Sequence, residues 1–298
     1  MTAKNSRLTD LLHTRKNLVS LEVFPPRTPD GVTNLMEHLR KLSVHAPDYI
    51  SVTYGAGGGT QSVSLEILEK ILSRFDCSVI AHFTCVGSSR ESINDLLARF
   101  KALGVVNLLA LRGDPPRNQP DFDFSKQSFH YANELVAYIK TVTDMCIAVA
   151  GYPTGHPQAP GKETDWDHLK RKADAGAEAV ISQVFLDNRD FYDFRDAMAQ
   201  RGMKLPIIPG VLPIPTLNTY EKIVSLCQPK LTPSFQKILD QYANDPASFR
   251  AACLDYSRQQ IQDLVRHGTP GIHFYCLNRS EMVNEILNTV PLDRPGRN

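Results

Sequence analysis

Short apolar runs rich in β-branched residues alternate along the chain with longer segments of helical period. A run of about four to eight such residues is typical of a buried strand, whereas apolar positions recurring every third or fourth residue indicate an amphipathic helix. The runs predict eight strands, at 18–24, 49–55, 78–85, 105–113, 146–153, 178–185, 205–212 and 271–278. Helical segments lie between them, for example at 32–43, 89–104 and 188–202.

This alternation predicts an α/β fold, a TIM (β/α)8 barrel, because parallel strands need helical crossovers and eight of them can close a sheet. The stretch 228–268 is too long for one crossover, so we expect extra helices before strand eight. Composition does not change abruptly anywhere, which favours a single domain over residues 1–298. A doubly wound open sheet is the alternative fold, but no G-x-G-x-x-G motif follows the first strand.

Charge and cysteine usage narrow the class of protein. Lys and Arg total 33 against 32 Asp and Glu, so no global field attracts nucleic acid or an anionic membrane, and small-molecule partners are expected. The six cysteines lack C-x-x-C spacing and are interpreted as buried, reduced thiols. The first residues have no signal-peptide core, and no apolar run approaches the ~20 residues of a membrane span, so we expect a cytoplasmic protein.

Strand alternation assigns a chemical group to the barrel interior. In the first strand Val19, Leu21 and Val23 share the face that suits helix packing, so Ser20 and Glu22 point inward. The same rule predicts these further inward polar side chains: Ser51, Thr53, His82, Thr84, Gln183, His273 and Tyr275. Most lie near the carboxyl ends of their strands, where barrel enzymes carry their chemistry. A carboxyl in a partly dry interior favours its protonated form, which suits a general acid; a purely structural carboxylate is the alternative.

Three loop or helix segments carry weaker signals. "ALRGDPP" (110–116) places Arg112 and Asp114 after strand four, either at a ligand or as an internal ion pair. "LKRKADAG" (169–176) is a basic helix face, which could bind an anion or simply be solvated. "YGAGGGTQS" (54–62) is rich in glycine but lacks the G-K-[ST] of a nucleotide-binding P-loop.

Nine segments, read in chain order, carry a family resemblance. They are "EVFPPRT" (22–28), "SVTYGA" (51–56), "HFTC" (82–85), "LALRGDPP" (109–116), "AGYPTGHP" (150–157), "LKRKADAGA" (169–177), "SQVFLD" (182–187), "PIIPGVLP" (206–213) and "HFYCLNRSE" (273–281). Together they resemble methylenetetrahydrofolate reductase, the FAD-dependent barrel flavoprotein of folate and one-carbon metabolism that serves methionine biosynthesis. The likeness runs from about residue 18 to 290 and, as in bacterial members, implies no regulatory domain after the barrel.

The resemblance implies site residues. Glu22 would be the general acid, and Asp114 would tune the flavin and orient the folate. The positions implied for FAD are Thr53, Tyr54, Ala56, His82, Arg112, Gly113, Asp114, Tyr131, Ala132, Tyr152, His156, Asp165, His168, Arg171 and Lys172. Those implied for substrate are Glu22, Thr53, Asp114, Gln183, Tyr275 and Arg279, with Gln183 also meeting the nicotinamide. No metal is implied.

The implied reaction is a ping-pong oxidoreduction. NADH or NADPH reduces FAD and leaves, and methylenetetrahydrofolate then enters the same pocket and is reduced to 5-methyltetrahydrofolate. A homo-oligomer without nucleic-acid or membrane partners is expected. Two other functions stay open: a barrel flavoenzyme acting on another substrate, such as a proline-type amino-acid dehydrogenase, and a ligand-binding barrel without turnover.

The chain departs from the family pattern at three places. A basic residue and a Thr commonly follow the glycine-rich loop, where this chain has Gln61, Ser62, Val63 and Ser64. His168 stands where an Asn is common, and Thr219 where a Gln is expected after strand seven. These changes concern how the nicotinamide and the folate tail are bound. They therefore bear on whether NADH or NADPH is preferred.

Overall fold

A computed structural model of the chain describes residues 5–54, 61–114, 123 and 127–294. Within these ranges nine parallel strands form one sheet in the order β7-β6-β5-β4-β3-β2-β1-β9-β8. The strands are β1 Leu18–Val23, β2 Tyr49–Val52, β3 Ser78–Thr84, β4 Asn107–Leu111, β5 Cys146–Gly151, β6 Ala179–Ser182, β7 Ile207–Ile208, β8 Gly210–Val211 and β9 Gly271–Tyr275. The predicted α/β barrel is confirmed.

The predicted seventh strand is divided into two pieces by Pro209. Proline has no backbone N–H, so it cannot donate to a continuous ladder. β7 pairs with β6, whereas β8 pairs with β9. The Pro209 carbonyl accepts from the His273 amide at 2.9 Å, and the Ser182 hydroxyl accepts from the Gly210 amide at 2.9 Å. Residues 207–211 thereby close the barrel between β6 and β9, which is why nine strands stand where eight were predicted.

Helices cover the outside of the sheet, except for the first, which lies at the amino end of the barrel. They are α1 Leu8–Thr14, α2 Pro29–Leu42, α3 Gln61–Arg74, α4 Arg90–Ala102, α5 Ala132–Val142, α6 Lys162–Asp174, α7 Asn188–Gln200, α8 Leu217–Cys227, α9 Pro233–Tyr242, α10 Pro246–Arg266 and α11 Glu281–Thr289. α9 and α10 are the extra helices expected before the last strand. Each begins with proline after a capping Thr232 or Asp245, a residue pair that fixes a helix start. No helix in the described ranges combines the length and apolar character needed to cross a bilayer.

The apolar core has two layers that leave one end of the barrel polar. Val19, Leu21 and Val23 belong to the layer between the sheet and the helices, as strand alternation predicted. The second layer fills the barrel at the amino ends of the strands, where Leu8 and Leu11 of α1 pack against inward side chains such as Leu18 and Ile80. The hydrophobic pattern did not predict α1. Since the amino end is filled by apolar side chains, the inward polar residues are left at the carboxyl end.

A buried carboxylate ties several segments together at the amino end. Asp48, just before β2, accepts from Arg15 at 2.7 Å, from Arg294 at 2.8 Å and from the Val19 amide at 2.8 Å. Arg294 also donates to the carbonyls of His45 and Ala46. A carboxylate that is 2 % exposed is tolerated here because both of its oxygens are paired with donors.

Candidate active site

Glu22 lies at the carboxyl end of β1 and is the centre of a polar cluster. Its Oε2 atom is 3.2 Å from His82 Nε2 on β3, 3.4 Å from His273 Nε2 on β9 and 3.5 Å from the Ser51 hydroxyl on β2. The strand register brings these groups together, because Glu22 is aligned with Ser51 on one side and with Tyr275 on the other. The Glu22 side chain is 18 % exposed, so the cluster can meet a ligand at the barrel mouth.

His273 lies beneath Glu22 and has no exposed surface. Its Nδ1 atom is 2.9 Å from the Ser20 hydroxyl, which can also donate to the Ile272 carbonyl at 3.3 Å. The imidazole stacks on Tyr49 at a centroid distance of 5.9 Å and meets the Tyr275 ring edge-on at 5.1 Å. Both ring nitrogens of His273 thus face a polar partner in an otherwise close-packed interior.

The two histidines reverse the expected effect of burial on Glu22. Burial raises the pKa of Glu22, but the charge of His82 and the hydrogen bond from His273 outweigh it and lower the pKa from 4.5 to about 2. Burial acts on Glu22 in the expected direction, but the two histidines, which the argument from burial did not include, oppose it. A carboxyl with so low a pKa is ionised at neutral pH in the chain without ligand.

Tyr152, Gln183 and Tyr275 form a second group beside the cluster. The Tyr275 hydroxyl donates to the Ser182 carbonyl at 2.8 Å, and the backbone N–H of Gln183 donates to the Gly151 carbonyl at 2.7 Å. Burial raises the pKa of Tyr152 to about 12, although its hydrogen bond with Gln183 acts the other way. Charge on Glu22 and Tyr152 also raises the pKa of Tyr275, so these side chains share one neighbourhood.

Charged side chains form a third group after β4, after β5 and on α6. Lys172 donates to the Ala150 carbonyl at 2.7 Å, and burial lowers its pKa to about 8. Burial also lowers the pKa of His156, with Asp165 acting to raise it and the charges of Arg112 and Lys172 acting to lower it. These residues were all predicted to meet one cofactor, and the fold brings them within electrostatic range of one another.

The Arg112–Asp114 turn lies at the same rim. Arg112 donates to the Gln158 side chain at 2.6 Å and to the Gly113 carbonyl at 3.2 Å, and both of these partners are neutral groups. Gly113 has φ +85°, and a Cβ there would meet Val86 at 2.7 Å. Asp114 is exposed.

The other residues predicted to bind cofactor or substrate are not gathered into one group. Thr53 and His168 are half-buried, Tyr131 is 58 % exposed at the start of α5 beside half-buried Ala132, and Arg171 and Arg279 are exposed. Tyr54 instead packs against the core between sheet and helices, near Arg99 of α4. Ala56 lies outside the described residues. No group of three or more His, Cys, Asp or Glu in the described ranges is arranged to hold a metal ion.

The residues at which this chain departs from the family pattern have local structural roles. Gln61 begins α3, and the Ser64 hydroxyl in that helix donates to the Thr53 carbonyl at 3.2 Å. Thr219 lies in the first turn of α8, where its amide donates to the Thr216 hydroxyl that caps the helix.

Two site neighbours had not been assigned a role. Ser51 was predicted to face inward, and strand register then decides that it meets Glu22. Cys227, half-buried at the end of α8, lies near Glu22, Tyr152 and Tyr275, and no motif indicated this. All six cysteines are free thiols, and the other five are buried as expected.

Comparison with known proteins decides the family. A family model described as methylenetetrahydrofolate reductase matches residues 7–291. The chain belongs to the methylenetetrahydrofolate reductase family. The resemblance noted in its sequence is confirmed, and with it the assignment to an oxidoreductase family.

Individual relatives of the methylenetetrahydrofolate reductase family agree with this assignment. The chain is 33 % identical over 274 residues to the 5,10-methylenetetrahydrofolate reductase of Pectobacterium carotovorum, covering 91 % of this chain and 89 % of that protein. It is 32 % identical over 280 residues to the Escherichia coli enzyme, covering 93 % and 92 %. Methylenetetrahydrofolate reductase (NADH) 1 of Arabidopsis thaliana is 32 % identical over 284 residues; 92 % of this chain matches 48 % of that protein.

A solved structure supports the fold alone. It is an uncharacterized protein from Clostridium thermocellum, described as binding two copies of 5-methyl-5,6,7,8-tetrahydrofolic acid. It superimposes with a TM-score of 0.62 at 14 % identity, covering 95 % of this chain and 97 % of its own.

Proposed function

We propose that the chain reduces 5,10-methylenetetrahydrofolate to 5-methyltetrahydrofolate, with FAD as cofactor and NADH or NADPH as the source of electrons. Family membership supports methylenetetrahydrofolate reduction. The structural observation that supports the full reaction is the Glu22 carboxyl at the barrel mouth. It contacts two imidazoles and lies next to Tyr275 and Gln183.

The charged rim fits a flavin dinucleotide. Arg112, His156 and Lys172 are cationic or can become so, and such groups pair with a diphosphate. Asp165 lies among them and could accept hydrogen bonds from ribose hydroxyls. When bound, FAD accepts a hydride from the nicotinamide and supplies one to the folate. Lys172 is partly desolvated and donates to a backbone carbonyl, so a bound anion would favour its charged form.

The polar cluster fits the other half of the reaction. Opening the five-membered ring of methylenetetrahydrofolate needs a proton on the departing nitrogen, and Glu22 is the group of the cluster with an exposed edge. Gln183, Tyr275 and Arg279 would hold the folate beside it. Because Glu22 is ionised in the chain without ligand, the carboxyl must receive a proton from its neighbours before it can donate one.

Glu22→Gln tests the assignment of the acid. The amide keeps the size of the side chain but cannot donate a proton as an acid. Stopped-flow absorbance should find flavin reduction by NADH within about tenfold of the parent, equivalent to ~1.4 kcal/mol of barrier. Reoxidation by methylenetetrahydrofolate should fall by about 10²–10⁴-fold. Parental reoxidation by this variant would return Glu22 to a structural role.

A matched control is Glu178→Gln. Glu178 is a partly buried carboxylate paired with Lys140 at 2.8 Å and Arg7 at 3.3 Å, at the amino end of the barrel. Both half-reactions should be parental in this variant. Loss of the folate half-reaction in both variants would indicate general damage to the barrel rather than loss of an acid.

The parent protein separates the alternative functions. A purified chain without a flavin spectrum would favour a binding protein. Bleaching of the flavin by proline, without reoxidation of the reduced flavin by methylenetetrahydrofolate, would favour an amino-acid dehydrogenase. Repeating the bleaching with NADPH gives the nicotinamide preference.

A further inference from the structure

His273 is a titratable group that the proposed reaction has not yet used. It is fully buried, and its two nitrogens face Glu22 Oε2 at 3.4 Å and the Ser20 hydroxyl at 2.9 Å. When the Ser20 hydroxyl donates to the Ile272 carbonyl, at 3.3 Å, its oxygen can accept Nδ1–H from an imidazolium. When the hydroxyl rotates, it can donate to an unprotonated Nδ1. Ser20 can therefore pair with Nδ1 of His273 whether or not that nitrogen carries a proton.

We propose that His273 is a positioning residue that stores the proton which Glu22 delivers to the substrate. This inference rests on the proposed function. The stored proton sits on Nε2 of the imidazolium, facing the Glu22 carboxylate. As substrate covers the pocket, this proton moves to Glu22 Oε2 and from there to the departing ring nitrogen. His273 is left neutral, with Nδ1–H donated to Ser20, and one proton has been consumed.

The different burial of His273 and Glu22 indicates how His273 regains its proton after each turnover. His273 has no exposed surface, whereas the Glu22 side chain is 18 % exposed. After product leaves, a solvent proton reaches Glu22 first and passes to His273 Nε2. The pocket must therefore open to water once in each turnover.

The neighbours of His273 decide whether it can hold the charge. Tyr49 on β2 and Tyr275 on β9 face its ring, and burial raises the pKa of both phenols, so both are neutral. Burial disfavours the imidazolium, while the Glu22 carboxylate favours it. His82 on β3 competes for the same carboxylate oxygen at 3.2 Å, but its Nε2 atom is not aligned for a hydrogen bond to any described residue. His273 is the better bonded of the two imidazoles.

His273→Gln tests the proposal. Glutamine can still donate a hydrogen bond toward Glu22 but cannot take up a proton. Glu22 and His273 titrate as a coupled pair, so their apparent pKa depends on both groups. Removing the imidazole, which is the preferred site of the shared proton, should lower that apparent pKa. The alkaline limb of the folate half-reaction should move to lower pH by about one unit, which is about a tenfold loss of rate above that limb. Flavin reduction by NADH should stay parental at every pH.

The matched control is His38→Gln. His38 on α2 also has a serine and a glutamate as neighbours, but outside the barrel and both on one nitrogen: its Nδ1 is 2.9 Å from the Ser280 hydroxyl and 3.8 Å from Glu281 Oε1. Its pH profile should match the parent. If His273→Gln slows both half-reactions together, or leaves the alkaline limb in place, His273 is structural and the proposal is overturned.

Should His273→Gln not fold, Ser20→Ala replaces it. Loss of the acceptor for Nδ1–H should move the alkaline limb in the same direction by a smaller amount.

A second readout does not depend on turnover. Nuclear magnetic resonance of ¹⁵N-histidine-labelled protein, with the His273 signal identified by its loss in His273→Gln, reports the charge of the ring. In the parent it should be an imidazolium near neutral pH, and in Glu22→Gln it should lose its proton at lower pH. A neutral ring throughout pH ~6–9 in the parent overturns the proposal. If the ring is charged but methylenetetrahydrofolate does not reoxidise the parent, the proton site stands, the proposed function fails, and the catalytic use of that proton is overturned.

Discussion

Gly210→Ala tests how tightly the barrel closes beside the candidate site. Gly210 follows the strand break at Pro209, and an added Cβ would overlap the Ser182 carbonyl oxygen and come within 2.5 Å of the Tyr275 ring. A backbone carbonyl within the sheet cannot move cheaply, so the methyl group acts as overpacking, at a cost of about 1–3 kcal/mol. Displacing Tyr275 would also weaken its 2.8 Å hydrogen bond to Ser182, worth about 1 kcal/mol. We expect a total loss of about 2–4 kcal/mol in the free energy of unfolding.

Urea unfolding followed by the fluorescence of Trp166 measures this loss. Trp166 is the single tryptophan and is 3 % exposed, so its emission should change when the barrel opens. The matched control is Gly161→Ala, where an added Cβ has nothing within 4 Å and the backbone is extended. As Gly161 precedes α6 in the capping position, its replacement should cost under about 1 kcal/mol. If both variants unfold at the same urea concentration with the same slope, the barrel closes more loosely around Gly210 than its contacts indicate.

The remaining predictions concern charge. Lys172→Glu should release FAD on dialysis, because it sets a carboxylate against the diphosphate, whereas Lys170→Glu on the same helix should retain it; equal retention would contradict the placement. Since burial lowers the Lys172 pKa to about 8, FAD retention by the parent should weaken as pH rises from about 7 to 9, and constant retention would argue against the lysine. Glu22 has a pKa lowered from 4.5 to about 2, so it contributes stability above pH 4.5 that is lost as pH falls through 2; about 3 kcal/mol should disappear from urea unfolding across that window, and a flat free energy would contradict it.

Strand alternation correctly predicted which side chains of β1 face the barrel interior. Successive side chains of a strand point to opposite faces, so assigning one face assigns the other. Once β1 buries Val19, Leu21 and Val23 under the helices, Ser20 and Glu22 must face inward. Register then brings residues of neighbouring strands together, so a polar cluster at the carboxyl end could be predicted before its distances were known.

The protonation state of Glu22 could not be predicted in the same way. It depends on the direction of a His273 side chain 251 residues away along the chain, and on His82, which approaches from a third strand. Arg112 and His156 mark a second limit, since they come after the ends of β4 and β5 rather than within them. Side chains that follow a strand are aimed by loop geometry, which has no simple period.

The pairing of β1 with β9 also determines when the barrel can form during synthesis. Ser20 and His273, which meet in that pairing, are 253 residues apart, so roughly 10–50 s of translation separate them. β2 to β6 can pair with their neighbours as they leave the ribosome, but during that time β1 keeps one open edge, and Asp48 has Arg15 without Arg294. An unpaired strand edge is a template for wrong pairing. The nascent chain therefore presents a surface of the kind that chaperones cover, until its last strand arrives.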